Sequence, residues 1–203
     1  MSSGVDSPTF SSTADWLTEP GAPGGLLAVE MVRGGHDGLI GGVIAQLLSG
    51  SLPPLYGMDC ANVFDPHGVS NAAREAGLSS REALRHVFVT RAHTIYQAQS
   101  VLAKMLPPLT RREPRPYVGV WALDHLFFEE TLRMSEREYV LREVLAGLTQ
   151  LATAGLRIVI TIQPPVDGHT WIPNLIIPAC GEFRPLPPPS QKGDPHGTQL
   201  RYL

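Results

Sequence analysis

The segment Leu26–Leu48, which reads LLAVEMV, then RGGHDGLIGG, then VIAQLL, is the clearest indication of the fold class. The apolar run Leu26–Val32 is typical of a buried strand. The segment Arg33–Gly42 predicts a glycine-rich turn, and the apolar run Val43–Leu48 predicts a helix. A buried strand joined to a helix in this way favours an α/β fold with a mostly parallel sheet.

The glycine-rich turn has the outline of a phosphate-binding loop but lacks the residues that such a loop uses. A nucleoside-triphosphate loop reads GxxxxGK[ST], in which the lysine reaches the β- and γ-phosphates and the hydroxyl holds Mg²⁺. With Gly34 as the first glycine, Leu39, Ile40 and Gly41 stand where Gly, Lys and Ser/Thr are required. The chain has two lysines, and both are far from this loop in the sequence. We therefore expect the shape of a triphosphate cradle without its cation.

The glycines of this turn have two readings. A tight strand-to-helix turn needs residues that tolerate positive φ or a close backbone approach. Backbone N–H groups at the start of a helix can also bind phosphate without any side chain. Both readings apply to Gly34, Gly35, Gly38 and Gly41.

The composition is that of an ordinary globular protein. With 203 residues, a net charge of −3 and 43% hydrophobic residues, the chain is expected to form one domain with one sizeable core. The one tight basic cluster, Arg111, Arg112 and Arg115, fits either a solvated loop or a phosphate-contacting patch. No apolar stretch reaches the roughly 18 residues that a membrane helix needs. Residues 1–13 also lack the pattern of a signal peptide, so we expect a cytoplasmic protein.

Strand and helix patterns alternate along the chain. A flexible N-terminal arm is expected over residues 1–24, and a single α/β domain over residues 25–203 with a proline-rich loop at about 181–198. After the first strand, the predicted strands are 55–59, 86–91, 117–123 and 157–162, with short edge strands at 175–177 and 200–203. Helices are predicted to begin at Pro66, Thr94 and near Ser135. The alternation predicts a three-layer fold, with helices on both faces of the sheet.

Three helix starts have capping signals. Asp65 before Pro66 predicts an N-cap, and Gly77 is expected to end the same helix. The pairs Ser79/Glu82 and Ser135/Glu138 have the spacing of capping boxes.

The order of these elements resembles the RecA-like recombinase superfamily, in particular its archaeal and eukaryotic strand-exchange branch. That branch has a strand ending in D-T-E-G-T-F, an R/D-P helix start, a G-L-D turn, a strand ending in A-R-A, a helix with a glutamine, and a V-I-T-N-Q…V-D-G stretch. The corresponding segments here are 58–66 (MDCANVFDP), 77–79 (GLS), 89–92 (VTRA), 96–97 (YQ), 159–163 (VITIQ) and 166–168 (VDG). The resemblance covers roughly residues 25–170 and implies a RecA-like P-loop NTPase core.

The departures from the family pattern imply a pseudo-ATPase. Ile40 stands in place of the family's lysine, and Ala61 in place of the glutamate that activates the attacking water. Asp124 is similar to the aspartate that holds Mg²⁺ through water, and Gln163 to the glutamine that senses the γ-phosphate. Together with the four loop glycines they would form a vestigial nucleotide site, at which ATP and Mg²⁺ bind weakly if at all. Each also has a structural alternative, because Asp124 can cap a loop and Gln163 can tie loop backbone.

Histidines and carboxylates follow several of the predicted strands. Ligand sites in open α/β sheets lie beyond the carboxyl ends of the strands. Imidazole together with carboxylate suits Zn²⁺ or Mn²⁺, although loops are polar in any case. The candidate metal ligands are His36, Asp37, Asp59, His67 and His125.

The resemblance implies an accessory, non-catalytic factor in DNA repair or homologous recombination. Its partner would be a catalytically active RecA-like recombinase or another repair protein, and DNA would be bound weakly or through that partner. Phe10 is similar to the phenylalanine of the F-x-x-A motif by which these recombinases associate, but the alanine comes one place late, and a disordered tail is the alternative. The expected compartment is the cytoplasm, at the nucleoid in a prokaryote, or the nucleus in a eukaryote.

Two other functions fit the sequence. One is an enzyme that uses a nucleotide or a metal at the rim formed by the strand ends. The other is a RecA-fold interaction regulator unrelated to DNA, in the manner of cell-division inhibitors.

Overall fold

The computed structural model describes residues 16–17, 23–31, 54–75, 77–104, 106–129, 131–164 and 169–185. Within these ranges the strands are β1 Gly25–Glu30, β2 Leu55–Asp59, β3 Val87–Arg91, β4 Tyr117–Trp121, β5 Arg157–Ile162 and β6 Glu182–Pro185. The α-helices are α1 Pro66–Glu75, α2 Ser80–Arg85, α3 Ile95–Lys104, α4 Met134–Thr153 and α5 Trp171–Ala179. Two 3-10 turns, Pro107–Arg111 and Leu123–Phe127, lie on either side of β4.

The strands form one parallel sheet in the order β3-β2-β4-β5-β1-β6. Strand β5 is buried at all six positions because it lies inside the sheet and is covered on both faces. The prediction of an α/β fold with a mostly parallel sheet and helices on both faces is therefore confirmed.

The direction of each crossover decides which face its helices cover. The chain moves along the sheet in one direction from β2 to β3, and in the other from β3 to β4, β4 to β5 and β5 to β6. Since crossovers between parallel strands are right-handed, the two directions place their helices on opposite faces. One face carries the large core beneath α3, α4 and α5. The other carries a smaller core that includes Val69 and Ala73 from α1, Ala83 from α2, and Leu17.

The predicted strand at Leu175–Ile177 is wrong, because these residues lie in helix α5. Ile172 and Ile176 are both fully buried, and their spacing of four is that of one helix face. The edge strand is instead β6, which pairs with β1 and occupies part of the segment predicted as a proline-rich loop. The predicted strand at 200–203 lies outside the described residues.

Residues Trp16 and Leu17 fall within the predicted flexible arm of residues 1–24, but both are packed against the domain. Leu17 is only 1% exposed and belongs to the smaller core. The guanidinium of Arg157 lies 4.4 Å from the centre of the Trp16 ring. These two residues are therefore part of the packed domain.

The helix ends test the capping predictions. Asp65 accepts hydrogen bonds from the N–H groups of His67 (2.8 Å) and Gly68 (3.0 Å), so the N-cap is confirmed. Gly77 has a φ of 73° and ends the helix as expected. Both predicted capping boxes are wrong: Ser79 precedes α2 without a side-chain cap bond, and Ser135 lies inside α4, which begins one residue earlier.

Candidate functional site

The neighbouring strands β2 and β4 define a topological switch point. After β2 the chain turns towards β3, and after β4 it turns in the opposite direction towards β5. In open α/β sheets such a divergence leaves a crevice at the carboxyl ends of the strands, where ligands bind. A cleft of about 420 Å³ opens at this point. We call it the switch-point cleft, and it is lined by Cys60, Ala61, Asn62, His93, His125, Leu126, Phe128 and Glu129.

The wall after β2 is organised by the buried carboxylate of Asp59. Its Oδ1 accepts hydrogen bonds from the N–H groups of Ala61 (3.3 Å) and Val63 (3.0 Å), and its Oδ2 from that of Phe64 (3.2 Å). The Nε of Arg91 lies 3.6 Å from the same Oδ2. Asp59 therefore holds the loop in place, and both of its oxygens are already engaged.

The wall after β4 contains Asp124, which is 2% exposed. Its Oδ2 accepts a hydrogen bond from the backbone N–H of Gln163 at 2.9 Å, and its Oδ1 has no hydrogen-bond donor among the described residues. Burial raises the pKa of this carboxyl to about 6. Just before it, the N–H of Ala122 donates to Thr161 Oγ1 at 2.8 Å, which fixes the turn to β5.

Both walls contain a residue in the left-handed backbone region. Asn62 has a φ of 56° and Ala122 a φ of 51°, and no other non-glycine residue in the described ranges has a positive φ. Alanine has no side-chain polar group that favours this conformation, so Ala122 carries a local cost of about 1 kcal/mol. Such strain is concentrated at functional sites, where the surrounding structure maintains it.

The structure brings together some of the residues that the sequence singled out. Asp124 and Gln163 are hydrogen-bonded neighbours, and Ala61 and His125 both line the switch-point cleft. Asn62 and Phe128 also line it, although no sequence signal marked them, since a φ angle and a place in a cleft are not visible in a sequence. Asp59 and His67 are also described, whereas the predicted residues Phe10, Gly34, Gly35, His36, Asp37, Gly38, Ile40 and Gly41 lie outside the described ranges.

The described candidate metal ligands do not form a common site. No group of three or more His, Cys, Asp or Glu side chains that could hold a metal occurs in the described part of the chain. Asp59 is engaged by backbone N–H groups, and His67 is exposed on α1. His125 lies in the switch-point cleft.

A second cavity, of about 620 Å³, lies along the outer edge of the sheet between β3 and the turn Pro107–Arg111. We call it the β3 groove. The ring of Phe88 is 49% exposed and stacks on Tyr56 with 4.9 Å between ring centres. Arg112 Nη1 donates a hydrogen bond of 2.6 Å to the Tyr56 hydroxyl. The groove is lined by Tyr56, Gly57, Val87, Phe88, Val89, Thr90, Lys104, Leu106, Pro108, Leu109 and Arg112.

Comparisons with known proteins assign no family. No protein-family model matches the chain, and the search of curated proteins found no relative. Among the helices that the structure describes, none combines the length and the apolar character needed to cross a bilayer.

Proposed function

We propose that the protein is a non-catalytic RecA-like paralogue, a pseudo-ATPase that assists DNA repair or homologous recombination by binding an active recombinase. Two residues at the carboxyl ends of β2 and β4 support the absence of catalysis. Ala61 has only a methyl group where the family has its glutamate. Asp124 accepts a hydrogen bond from the backbone N–H of Gln163, so this carboxylate has a structural role that needs no nucleotide.

The β3 groove is the observation that carries the binding function. In the described part of the sheet β3 pairs only with β2, so its outer backbone N–H and C=O groups have no strand partner. An exposed edge strand is a template for an added strand from another protein. The stacked rings of Phe88 and Tyr56 lie beside that edge and offer an apolar surface.

The charges of the groove define the segment that fits it. Lys104 and Arg112 are the charged residues of its lining. We infer that an extended segment of the recombinase partner adds a strand along β3, places an apolar side chain against Phe88 and directs a carboxylate to Lys104 or Arg112. A second copy of this chain fits less well, because it would bring the same cations towards each other.

A pull-down with active recombinases tests this function. Phe88→Asp is expected to weaken capture by about tenfold or more, as loss of a buried aromatic anchor does. Tyr139→Asp is the matched control, because Tyr139 is 62% exposed on α4 and lies outside the groove. Equal capture by both variants would refute the groove, and no capture of any recombinase by the wild type would refute the function.

Phe10 is tested in the same experiment. We propose that it latches onto a partner, so Phe10→Ala should reduce capture. Unchanged capture would remove the latch and leave the groove in place.

Two assays separate the proposal from its alternatives. The pseudo-ATPase should show no Mg²⁺-dependent ATP hydrolysis, and micromolar, Mg²⁺-dependent ATP affinity would favour the enzyme instead. A partner-bound protein that never associates with single-stranded DNA would favour the interaction regulator unrelated to DNA.

A further inference from the structure

We propose that the switch-point cleft binds an organic cation, that is, a primary ammonium or guanidinium group on a short apolar stem. This site shares no lining residue with the β3 groove. The proposal is independent of recombinase binding, and it reverses the sign of charge that a nucleotide or DNA site would need.

The residues around the cleft give it a negative charge. Among the described residues, its lining contains the carboxylate of Glu129 and neither lysine nor arginine. The carboxylates of Asp59 and Asp124 lie at the strand ends behind it. The guanidinium of Arg91 lies 3.6 Å from Asp59 and offsets the charge of that carboxylate, so Glu129 and Asp124 carry most of the negative charge at the cleft.

Carboxylate charges raise the pKa values of two groups in this region, Cys60 and Tyr96. Burial raises the pKa of the Cys60 thiol on the cleft lining, and the charges of Asp59 and Asp124 raise it further. At the start of α3, a hydrogen bond to Glu136 raises the pKa of Tyr96, and the charges of Glu136 and Glu129 act in the same direction. Carboxylate charge therefore acts on the cleft lining at Cys60.

The cleft also has groups that recognise a cation by contact. The ring of Phe128 lies between His125, at 6.1 Å, and His169, at 5.0 Å between ring centres. An aromatic face attracts an ammonium or guanidinium group. The ring nitrogens of His93 and His125 and the amide oxygen of Asn62 line the cleft and can accept hydrogen bonds from its N–H groups. Leu126 and Ala61 offer an apolar surface for the stem.

The N-terminus of α3 gives little support to an anion in this cleft. Helix α3 begins next to His93, and a helix N-terminus favours negative charge. Two backbone donors there are already used, because Thr94 Oγ1 accepts from the N–H of Gln97 and Gln97 Oε1 accepts from the N–H of His93. A phosphate would also face Glu129, and the part of the lining that the structure describes has no lysine or arginine to offset that charge.

Calorimetric titration of the full chain with guanidinium probes tests the proposal. Agmatine represents a free small amine, and N-acetyl-arginine amide represents the side chain of a partner protein. We expect saturable binding of at least one of them at millimolar concentration or below. Tighter binding of the arginine derivative identifies a protein side chain as the source, and equal or tighter binding of agmatine identifies a small molecule.

Paired variants show whether the binding is at this cleft. Glu129→Gln should weaken the affinity by about fivefold, the loss of one partly exposed ion pair. Glu143→Gln removes the same charge from an exposed position outside the cleft lining and should bind like the wild type. The proposal fails if neither probe binds, if Glu129→Gln binds with unchanged affinity, or if inorganic phosphate binds in place of the cations.

Discussion

The carboxylate of Asp124 and the backbone N–H of Gln163 are hydrogen-bonded across the ends of β4 and β5, with 2.9 Å between Oδ2 and N. The two residues are far apart in the sequence, and the bond joins the turn after one strand to the loop after the next. Burial raises the pKa of Asp124 to about 6, so the folded state favours the protonated carboxyl. The ionised form therefore costs stability at neutral pH.

We predict that Asp124→Asn makes the free energy of unfolding less dependent on pH. Between the ordinary pKa of 3.8 and the folded value of about 6, the folded state binds more protons than the unfolded state, so stability falls as pH rises through this window. Asparagine keeps an oxygen for the N–H of Gln163 and carries no charge. At pH 8 the variant should be more stable than the wild type by about 1–3 kcal/mol, as measured by urea unfolding.

The control for this substitution is Asp65→Asn. Asp65 caps α1 at an accessible position, and asparagine is an equally good N-cap. The stability of the Asp65→Asn variant should differ little from that of the wild type at either pH 4.5 or pH 8. The interpretation of Asp124 would be wrong if Asp124→Asn had the same effect on stability at both pH values.

We predict that Asp59→Ala loosens the whole wall of the switch-point cleft after β2. The substitution leaves the N–H groups of Ala61, Val63 and Phe64 without their acceptor. Hydrogen bonds to a buried charged group are worth about 1.5–3 kcal/mol each and are not additive, so we expect a loss of about 3 kcal/mol. Amide hydrogen exchange should become faster at these three residues. A loss below 1 kcal/mol with unchanged exchange would show that another group holds the loop.

A cross-strand pair of glycines makes room for the indole of Trp121. Gly57 and Gly119 face each other in the register of β2 and β4, and a Cβ atom on either would collide with the Trp121 ring. Gly119→Ala should therefore destabilise the protein by about 1–3 kcal/mol through overpacking. Gly147→Ala should instead stabilise it by about 0.5–1 kcal/mol, because Gly147 lies in α4 with open space around its Cα. Thermal unfolding of both variants checks the opposite signs.

Local patterns predicted the buried elements of this fold well. Strand β5 has its predicted bounds, since a continuous apolar run between two turn signals leaves few alternatives. The helix predicted to begin near Ser135 is α4, and its residues Leu141 and Leu148 are fully buried. The run Leu175–Ile177 was misassigned as a strand because three consecutive apolar residues do not distinguish a strand from a helix. Burial of Ile172 and Ile176 in the same core identifies the helix, and that burial is visible only in the structure.

The candidate site could be predicted only in part, because it depends on strand order. The residues after β2 and β4 share a cleft since those strands are neighbours, and no local pattern encodes that order. The candidate metal ligands predicted at the strand ends did include His125, which lines the cleft. The contact of Arg112 with Tyr56 joins residues 56 positions apart, so the β3 groove left no local signal.

The start of α3 shows why a capping motif needs its backbone. Thr94 and Gln97 also have capping-box spacing, and here the Thr94 hydroxyl does accept from the N–H of Gln97, at 3.2 Å. Ser79 has the same spacing to Glu82 and makes no side-chain cap bond. Thr94→Ala should therefore cost about 1 kcal/mol of stability, whereas Ser79→Ala should stay within about 0.5 kcal/mol of the wild type. Urea unfolding of the two variants measures the difference, and equal losses would show that the Thr94 hydroxyl does not stabilise the helix.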